Sequence, residues 1–385
     1  TSKCITDSSE ALAVMPSTPA TGPHYAVAMH LPTAQSIEVG ALGTFDFPAG
    51  DYVYVGRAKS GFDARLARHR RTSDKTIRWH IDYLRDRADW LEARIPETSG
   101  ECALAEEIAD LPDAARFIDG FGASDCGCDG HLIHFEGRCD ELPGDRWTGD
   151  GLEAEFLRRP NRFVVQARRS DSGETVRAYL PNTARLTELL KEERPMLLEP
   201  ADDPSRSTDY TVRRIWDGAW VSIEATRAEQ MVEKWMATRG TFPELGGIVD
   251  WDGQVDDGEG HRFDFRLRRD PDPDVWLEVK SLSRCFDGDA LLSGTPSSRG
   301  IDHLDRLGDL AEAGDPAALA FVIQRDDPER LLLGNPTAEA DVDPDWLAAL
   351  RRARRRGVTV VAFACRVTAA NAWIDRRIPV CDVNR

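Results

Sequence analysis

Residues 261–281, HRFDFRLRRDPDPDVWLEVKS, constrain this chain more than any other stretch. Phe263, Phe265 and Leu267 alternate with Arg262, Asp264 and Arg266; Val275, Leu277 and Val279 alternate with Trp276, Glu278 and Lys280. Period-two alternation puts each set on one face of a strand, and the Pro/Asp-rich segment between them reads as a tight turn. With the turn at residues 269–273, Arg268 pairs with Asp274. The same antiparallel register sets Asp264 opposite Glu278, with Lys280 following on that face. Like charges directly opposite one another destabilise a strand pair. A divalent cation resolves the conflict, because Mg²⁺ takes hard oxygen ligands and its charge offsets the repulsion.

At 385 residues the chain is too long for one ordinary core and suggests two or three domains. No apolar run reaches the roughly 18 residues of a transmembrane helix. The start, TSKCITDSSEALAVMPSTPATG, lacks the basic-then-apolar order of a signal peptide. Residues 1–22 read as a flexible polar tail, and the expectation is a cytoplasmic protein with no membrane partner. The net charge is −18 and only six lysines occur, so almost all basic charge is arginine. That pattern fits a halophile with a GC-rich genome, in which acidic excess serves solubility and says little about partners. High salt weakens phosphate contacts, so DNA binding would need a locally basic groove or a bridging metal. Lys280 stands out as an amine in an arginine-preferring chain. Eight cysteines in a chain of this type do not form a disulfide scaffold.

Residues 23–138 form a first unit. PHYAVAMHL and DYVYVGRA read as strands, FDARLARHRR, IRWHIDYLRDR and ECALAEEIAD as helices, and HLIHFE as a closing strand. Tyr25, Tyr54-Val55-Gly56, Arg65 and His69, together with WHIDYL and GFGASDCGCDGHLIHF, resemble a GIY-YIG-type nuclease domain of the variant fused to other DNA-processing domains. The resemblance covers the whole unit and departs from the pattern where His24 precedes Tyr25. Tyrosines and a histidine can position or deprotonate water near a phosphate, and Arg65 can stabilise developing phosphoryl charge. The resemblance implies a metal-holding Glu on a later helix: Glu106 is the first choice and Glu101 the alternative. From the residues alone, Tyr25 and Tyr54 serve equally well as core-filling strand aromatics. Cys126, Cys128 and His131, with Cys102, offer four ligands for Zn²⁺; the C-x-C spacing leaves open an unmetallated loop. Residues 139–150 read as a linker.

Residues 151–222 hold short strands separated by turns, the pattern of a small β-barrel. RRPNRFVVQAR, LPNTARL and ADDPSRSTDYTVR resemble the sugar fermentation stimulation protein family, and the resemblance continues through RFDF, LEVKS, SRGIDHL, FVIQR and GVTVVAFACRV. It implies an OB-like barrel, a fold that binds oligonucleotides, with Arg158, Arg159, Arg162 and Arg168 as candidate DNA contacts and Arg299 joining them from the later domain. SIEATRAEQMVEKWM departs from the family pattern. Residues 223–385 alternate strands with helices, which implies an α/β layer.

Asp264 followed by Glu278-Val279-Lys280 looks like the PD-(D/E)xK signature of restriction-endonuclease-like domains. In that reading Asp264 and Glu278 hold Mg²⁺ or Mn²⁺, and Lys280 orients or helps deprotonate the attacking water. Glu233 adds a metal contact and Gln324 positions water or phosphate. A salt-bridged, solvent-exposed hairpin is the plainer alternative. The basic run at residues 351–356 reads either as a DNA-contacting patch or as a solvated helix end favoured by the macrodipole. The expectation is a multidomain α/β and β protein: a GIY-YIG-like α/β domain, an OB-like barrel and a restriction-endonuclease-like α/β domain. Its expected activity is metal-dependent cleavage of DNA. The alternative is a DNA-binding regulator of sugar-metabolism genes with vestigial nuclease folds. A homo-oligomer is left open.

Overall fold

The computed structural model describes residues 24–58, 61–96, 100–124, 126–139, 142–147, 151–201, 203, 205–239, 241–292, 298–334 and 342–383. The tail read at residues 1–22 lies outside them. Among the described residues no helix is long and apolar enough to cross a membrane.

The first unit is built on the strand His24–Leu31, which pairs antiparallel with Gly50–Arg57 on one side and Asp89–Ile95 on the other. Strands Ala114–Arg116, Leu132–Phe135 and Asp145–Arg146 extend the sheet to six. Helices α1 (Phe62–Arg70) and α2 (His80–Arg85) cover the Tyr25 face through Leu66, Ile81 and Leu84. Helix α3 (Glu101–Ala109) covers the other face through Leu104, Ala105 and Ile108. Of the expected linker at 139–150, the described residues 139 and 142–147 belong to the end of this unit. Cys139 and Leu142 are buried in its core, and Asp145–Arg146 pairs with Arg94 and Ile95. Its Gly and Pro mark turns within a packed segment.

The second unit is a five-stranded barrel. Its strands are Leu152–Asn161, Val164–Arg169, Thr175–Tyr179, Pro195–Pro200 and Tyr210–Trp216, and a parallel contact of Ala178 and Tyr179 with Tyr210 and Thr211 closes it. Alternating residues such as Val165, Ala167, Val176 and Ala178 fill its interior.

The third unit is a seven-stranded mixed sheet. Val275–Leu282, Ala317–Ile323 and Thr359–Val367 run parallel at its centre. Arg262–Arg269 pairs antiparallel on one side of this trio and Ala372–Ile378 on the other. Every residue of Ala317–Ile323 is buried, as a central strand covered on both faces must be. Helix α4 (Arg227–Arg239) packs Met231, Val232 and Met236 on one face. Helices α5 (Ser298–Ala313) and α6 (Pro344–Arg355) cover the other through Leu304, Leu307 and Leu350. In the hairpin, Phe265 faces Leu277 and Leu267 faces Val275, the register expected from the alternation.

First and third units interlock. Arg366 forms a buried ion pair with Asp51, which also accepts from His30 Nδ1 at 2.8 Å. Trp373 joins the first unit's core, and Thr368 Oγ1 donates to the Leu91 carbonyl at 2.7 Å. Three arginines of the basic run 351–356 pair within the fold: Arg352 with Asp305 at 3.0 Å, Arg354 with Asp382 at 2.9 Å and Arg356 with Glu312 at 2.7 Å.

Candidate active site

Strand pairing ends at Phe265–Leu277, one residue short of Asp264 and Glu278. There Asp264 Oδ2 accepts the Val279 N–H at 2.7 Å, so a side chain takes over from the backbone ladder. Glu278 Oε1 is held by Lys280 Nζ and, at 2.8 Å, by His303 Nδ1 from α5. Its other oxygen, Oε2, is buried and has no hydrogen-bond partner. Burial, and next the charge of Glu278, push Asp264 up to about 6, and the Val279 N–H offsets this only in part. Burial raises Glu278 as well, but the His303 hydrogen bond and the Lys280 charge outweigh it and hold that carboxyl below its ordinary value. Two close carboxylates, one with a spare buried oxygen and the other strained against ionising, make a donor set that fits a hard divalent cation.

Helix α4 adds a third carboxylate, Glu229 instead of the expected Glu233. Gln254 Nε2 bridges Glu229 Oε2 at 2.8 Å and Asp264 Oδ1 at 3.3 Å. To do so Gln254 takes a left-handed backbone, φ 55°, unusual for a residue with a side chain. Glu233 lies one turn further on and is exposed. Gln324 is fully buried, and its Oε1 has no hydrogen-bond partner. Its amide donates to Ser281 Oγ at 2.7 Å and to the Glu224 carbonyl at 2.8 Å, tying the end of its strand to the segment leading into α4. Arg299 is exposed at the start of α5, its Nε 3.5 Å from His303 Nε2. Sequence reasoning did not single out His303, Glu229 or Gln254. His303 did sit inside the quoted SRGIDHL segment, as one of only eight histidines.

In the first unit, the Tyr25 hydroxyl lies 2.8 Å from His69 Nε2. Burial raises Tyr25 far above the usual phenol range, and burial lowers His69 to about 3, so the pair is a neutral phenol against a neutral imidazole. Tyr54 packs beside them, its ring centroid 6.0 Å from that of His69. Gly56 faces Tyr25 across the strand pair, and a Cβ there would lie 2.6 Å from the Tyr25 ring, which explains the glycine in YVG. Arg65 donates to the Arg57 carbonyl and lies over Trp79, 4.5 Å from the ring centroid. Glu106 is not part of this pocket; it is exposed and paired with Arg116 at 2.7 Å. The carboxylate that α3 brings in is Glu101, half-buried, 3.5 Å from Arg57 Nε and 3.8 Å from His131 Nδ1. Behind it, Cys102, Cys126, Cys128 and His131 converge, their ligand atoms all within 4.8 Å of one another.

The barrel arginines divide. Arg159 spends its guanidinium on the carbonyls of Arg162, Asn182, Ala184 and Arg185, which makes it a brace. Arg168 pairs with Glu155 at 2.9 Å. Arg158 and Arg162 remain exposed, Arg158 bonded to Gln166 at 2.8 Å. A cavity of about 370 Å³ lies elsewhere, where the three units meet, lined by Arg70, Glu92, Arg213, Arg214, Glu224 and Arg227 among others. It does not include the Asp264–Glu278 pair.

Residues 157–223 match the profile described as the SfsA N-terminal OB domain, and residues 226–371 that of the sugar fermentation stimulation protein RE domain. A sugar fermentation stimulation protein homolog of Chloroflexus aurantiacus is 34% identical over 230 residues, 60% of this chain and 85% of that protein. The chain belongs to the sugar fermentation stimulation protein family. A second family homolog, from Dinoroseobacter shibae, is 31% identical over 233 residues, covering 60% of this chain and 93% of its own. The solved Pyrococcus furiosus family member superposes with a TM-score of 0.51 at 24% identity, covering 60% of this chain and 96% of that one, which establishes the shared fold. Residues 24–143 match a separate profile, domain of unknown function DUF123, so the GIY-YIG-like unit is joined here to the family's two domains.

Proposed function

We propose that this protein binds DNA and hydrolyses its phosphodiester bonds at the Asp264–Glu278 site, with Mg²⁺ or Mn²⁺ as cofactor. The observation that carries the reading is the buried, unpartnered Oε2 of Glu278 beside an Asp264 that burial and Glu278 hold up to about 6. The solved Pyrococcus furiosus relative is described in complex with Ca²⁺, a hard divalent cation, which supports a cation in this fold. Asp264 and Glu278 would hold the ion, which when bound polarises a phosphate oxygen and lowers the pKa of a water. Lys280 keeps its ammonium at Glu278 Oε1, where it can orient a nucleophilic water. His303 fixes the Glu278 carboxylate from behind, and Gln254 fixes Asp264. Exposed Arg299, Arg158 and Arg162 supply phosphate contacts.

A second reading rests on the same cluster. Lys280 already offsets the charge of Glu278 and His303 hydrogen-bonds the same oxygen, an arrangement that suits a DNA-binding regulator that no longer cuts. Cleavage of plasmid, single-stranded, nicked and branched DNA with Mg²⁺ or Mn²⁺ at high salt separates the two, with Lys280→Ala and Tyr54→Phe beside the wild type. Cleavage lost in Lys280→Ala and kept in Tyr54→Phe is the expected result. Metal-independent binding with no wild-type cleavage would favour the regulator.

A further inference from the structure

We infer that Cys102, Cys126, Cys128 and His131 bind one Zn²⁺ as a closed structural centre in the first unit. The four come from three places: the first turn of α3, the loop before strand Leu132–Phe135, and the residue entering that strand. Cys128 Sγ lies 3.3 Å from Cys102 Sγ, 2.9 Å from Cys126 Sγ and 2.9 Å from His131 Nε2. His131 Nε2 is 3.7 Å from Cys102 Sγ and 3.6 Å from Cys126 Sγ. A tetrahedral zinc with Zn–S of about 2.3 Å and Zn–N of about 2.0–2.1 Å spaces its ligand atoms roughly 3.5–3.8 Å apart. The separations of His131 Nε2 from Cys102 and Cys126 already match, and the pairs made by Cys128 would open by up to roughly 0.9 Å to close on the ion.

A disulfide explains less. Cys126 and Cys128 are not bridged: their Sγ atoms lie 2.9 Å apart, against a bond length of about 2.05 Å. One bridge would use two sulfurs and leave the third, and the imidazole nitrogen aimed at all three, without a role. Three thiolates and an imidazole select a borderline-soft ion such as zinc over Mg²⁺ or Ca²⁺. All four positions are filled by protein, which marks a structural site, because catalytic zinc keeps one position open.

The placement gives the ion a task. The loop it would clamp returns to the body through His131 N–H to the Phe121 carbonyl at 2.7 Å and Gly120 N–H to the Asp129 carbonyl at 2.6 Å. Phe121 packs on Tyr54 at 6.1 Å between centroids, and at Gly122, φ 74°, a Cβ would lie 2.7 Å from the Tyr54 ring. Zinc would fasten this wall of the Tyr25–Tyr54 pocket to α3, the helix that carries Glu101.

The test uses the full chain, purified under reducing conditions without a metal-affinity tag. Elemental analysis should find about one zinc per chain, and a mercurial thiol reagent should release it from the wild type. Cobalt exchanged into the wild type should show thiolate-to-cobalt charge-transfer absorption. Cys126→Ser and Cys128→Ser should lose the metal; the wild-type mercurial and cobalt readouts stand even where a variant fails to fold. Substoichiometric zinc from zinc-supplemented cells, zinc that survives thiol modification, or a Cys126–Cys128 disulfide in the purified chain would each overturn the inference.

Discussion

Asp264→Asn is expected to stabilise the metal-free protein near neutral pH while removing its response to Mg²⁺. In the unfolded chain Asp264 ionises at its ordinary 3.8; in the folded chain it keeps its proton up to about 6. Between those values the folded state binds more protons than the unfolded one, so stability falls as pH rises. The penalty is absent below about pH 4 and complete above about pH 6. Roughly two units at 1.36 kcal/mol each make it about 3 kcal/mol. Asparagine removes the charge and keeps an oxygen for the Val279 N–H.

Thermal unfolding in chelator is the assay, at about pH 4.5 and about pH 7.5, bracketing the window. Asp51, Asp82 and Asp217 have lowered pKa values, so they stabilise the fold above their unfolded values and lose that contribution as pH falls. Wild type and variant share those contributions, and the difference isolates Asp264. Near neutral pH the variant's third-unit transition should lie up to about 10 °C higher, shrinking toward nothing in acid. Mg²⁺ at about 100 times its Kd should return about 2.7 kcal/mol to the wild type and nothing to the variant. A variant less stable than wild type near pH 7.5 in chelator, or a difference independent of pH, would refute the reasoning.

Lys280→Met keeps the aliphatic stem and removes the ammonium; cleavage should fall by roughly 10²–10⁴-fold while calorimetry still detects cation binding, and loss of both together would deny Lys280 a chemical role. Tyr25→Phe takes the hydroxyl from a buried imidazole, which should cost about 1–3 kcal/mol in chemical denaturation; no change would mean that the pair contributes nothing to the fold. Arg366→Met leaves Asp51 buried with one cation fewer; a loss of about 3–5 kcal/mol and separate unfolding of the first unit in calorimetry are expected, and one unaltered transition would contradict it. Reversing Arg158 and Arg162 to Glu should reduce the steepness of log Kd against log salt by roughly 1.4–1.8, and an unaltered slope would place the DNA interface elsewhere.

The hairpin was legible because its two faces differ so sharply. A slip of one residue would turn Phe263, Phe265 and Leu267 to solvent, so the pattern permits one register. The unbroken apolar run AALAFVI was legible as a buried strand for a similar reason. Asp89–Ile95 was not: DWLEARI is rich in helix formers, and it is a strand because it pairs with Ala26–His30 beside Tyr25. Gly246–Asp256 is mostly exposed and carries little alternation to read. The choice between Glu101 and Glu106 was available in the sequence. Counting from Glu101, the i+3, i+4 and i+7 positions are Leu104, Ala105 and Ile108, all buried, so Glu101 lies on the inward stripe and Glu106 off it. The choice between Glu229 and Glu233 was not available, since residues four apart share a helix face. Which one meets Asp264 depends on how far α4 slides along the sheet, and long-range packing sets that.

The joint between first and third units bears on why two nuclease-like pockets share one chain. Family relatives for which about 230 residues make up 85% or 93% of the protein have no room for the first unit as well. In this chain Arg366 and Trp373 of the third unit dock against the first. A buried ion pair adds little net stability against a well-packed apolar alternative, but removing one partner is costly. Arg366 and Asp51 thus penalise any misaligned docking more than they reward the correct one. The covalent connection already holds the units at high effective concentration, so the pair is not needed to keep them together. Its effect is on orientation. Asp51 lies three residues before Tyr54 on its strand, and the Arg366 strand belongs to the same sheet as Asp264 and Glu278. Together with Trp373 and the Thr368–Leu91 hydrogen bond, that pair holds the Tyr25–Tyr54 pocket and the Asp264–Glu278 site in a fixed relation.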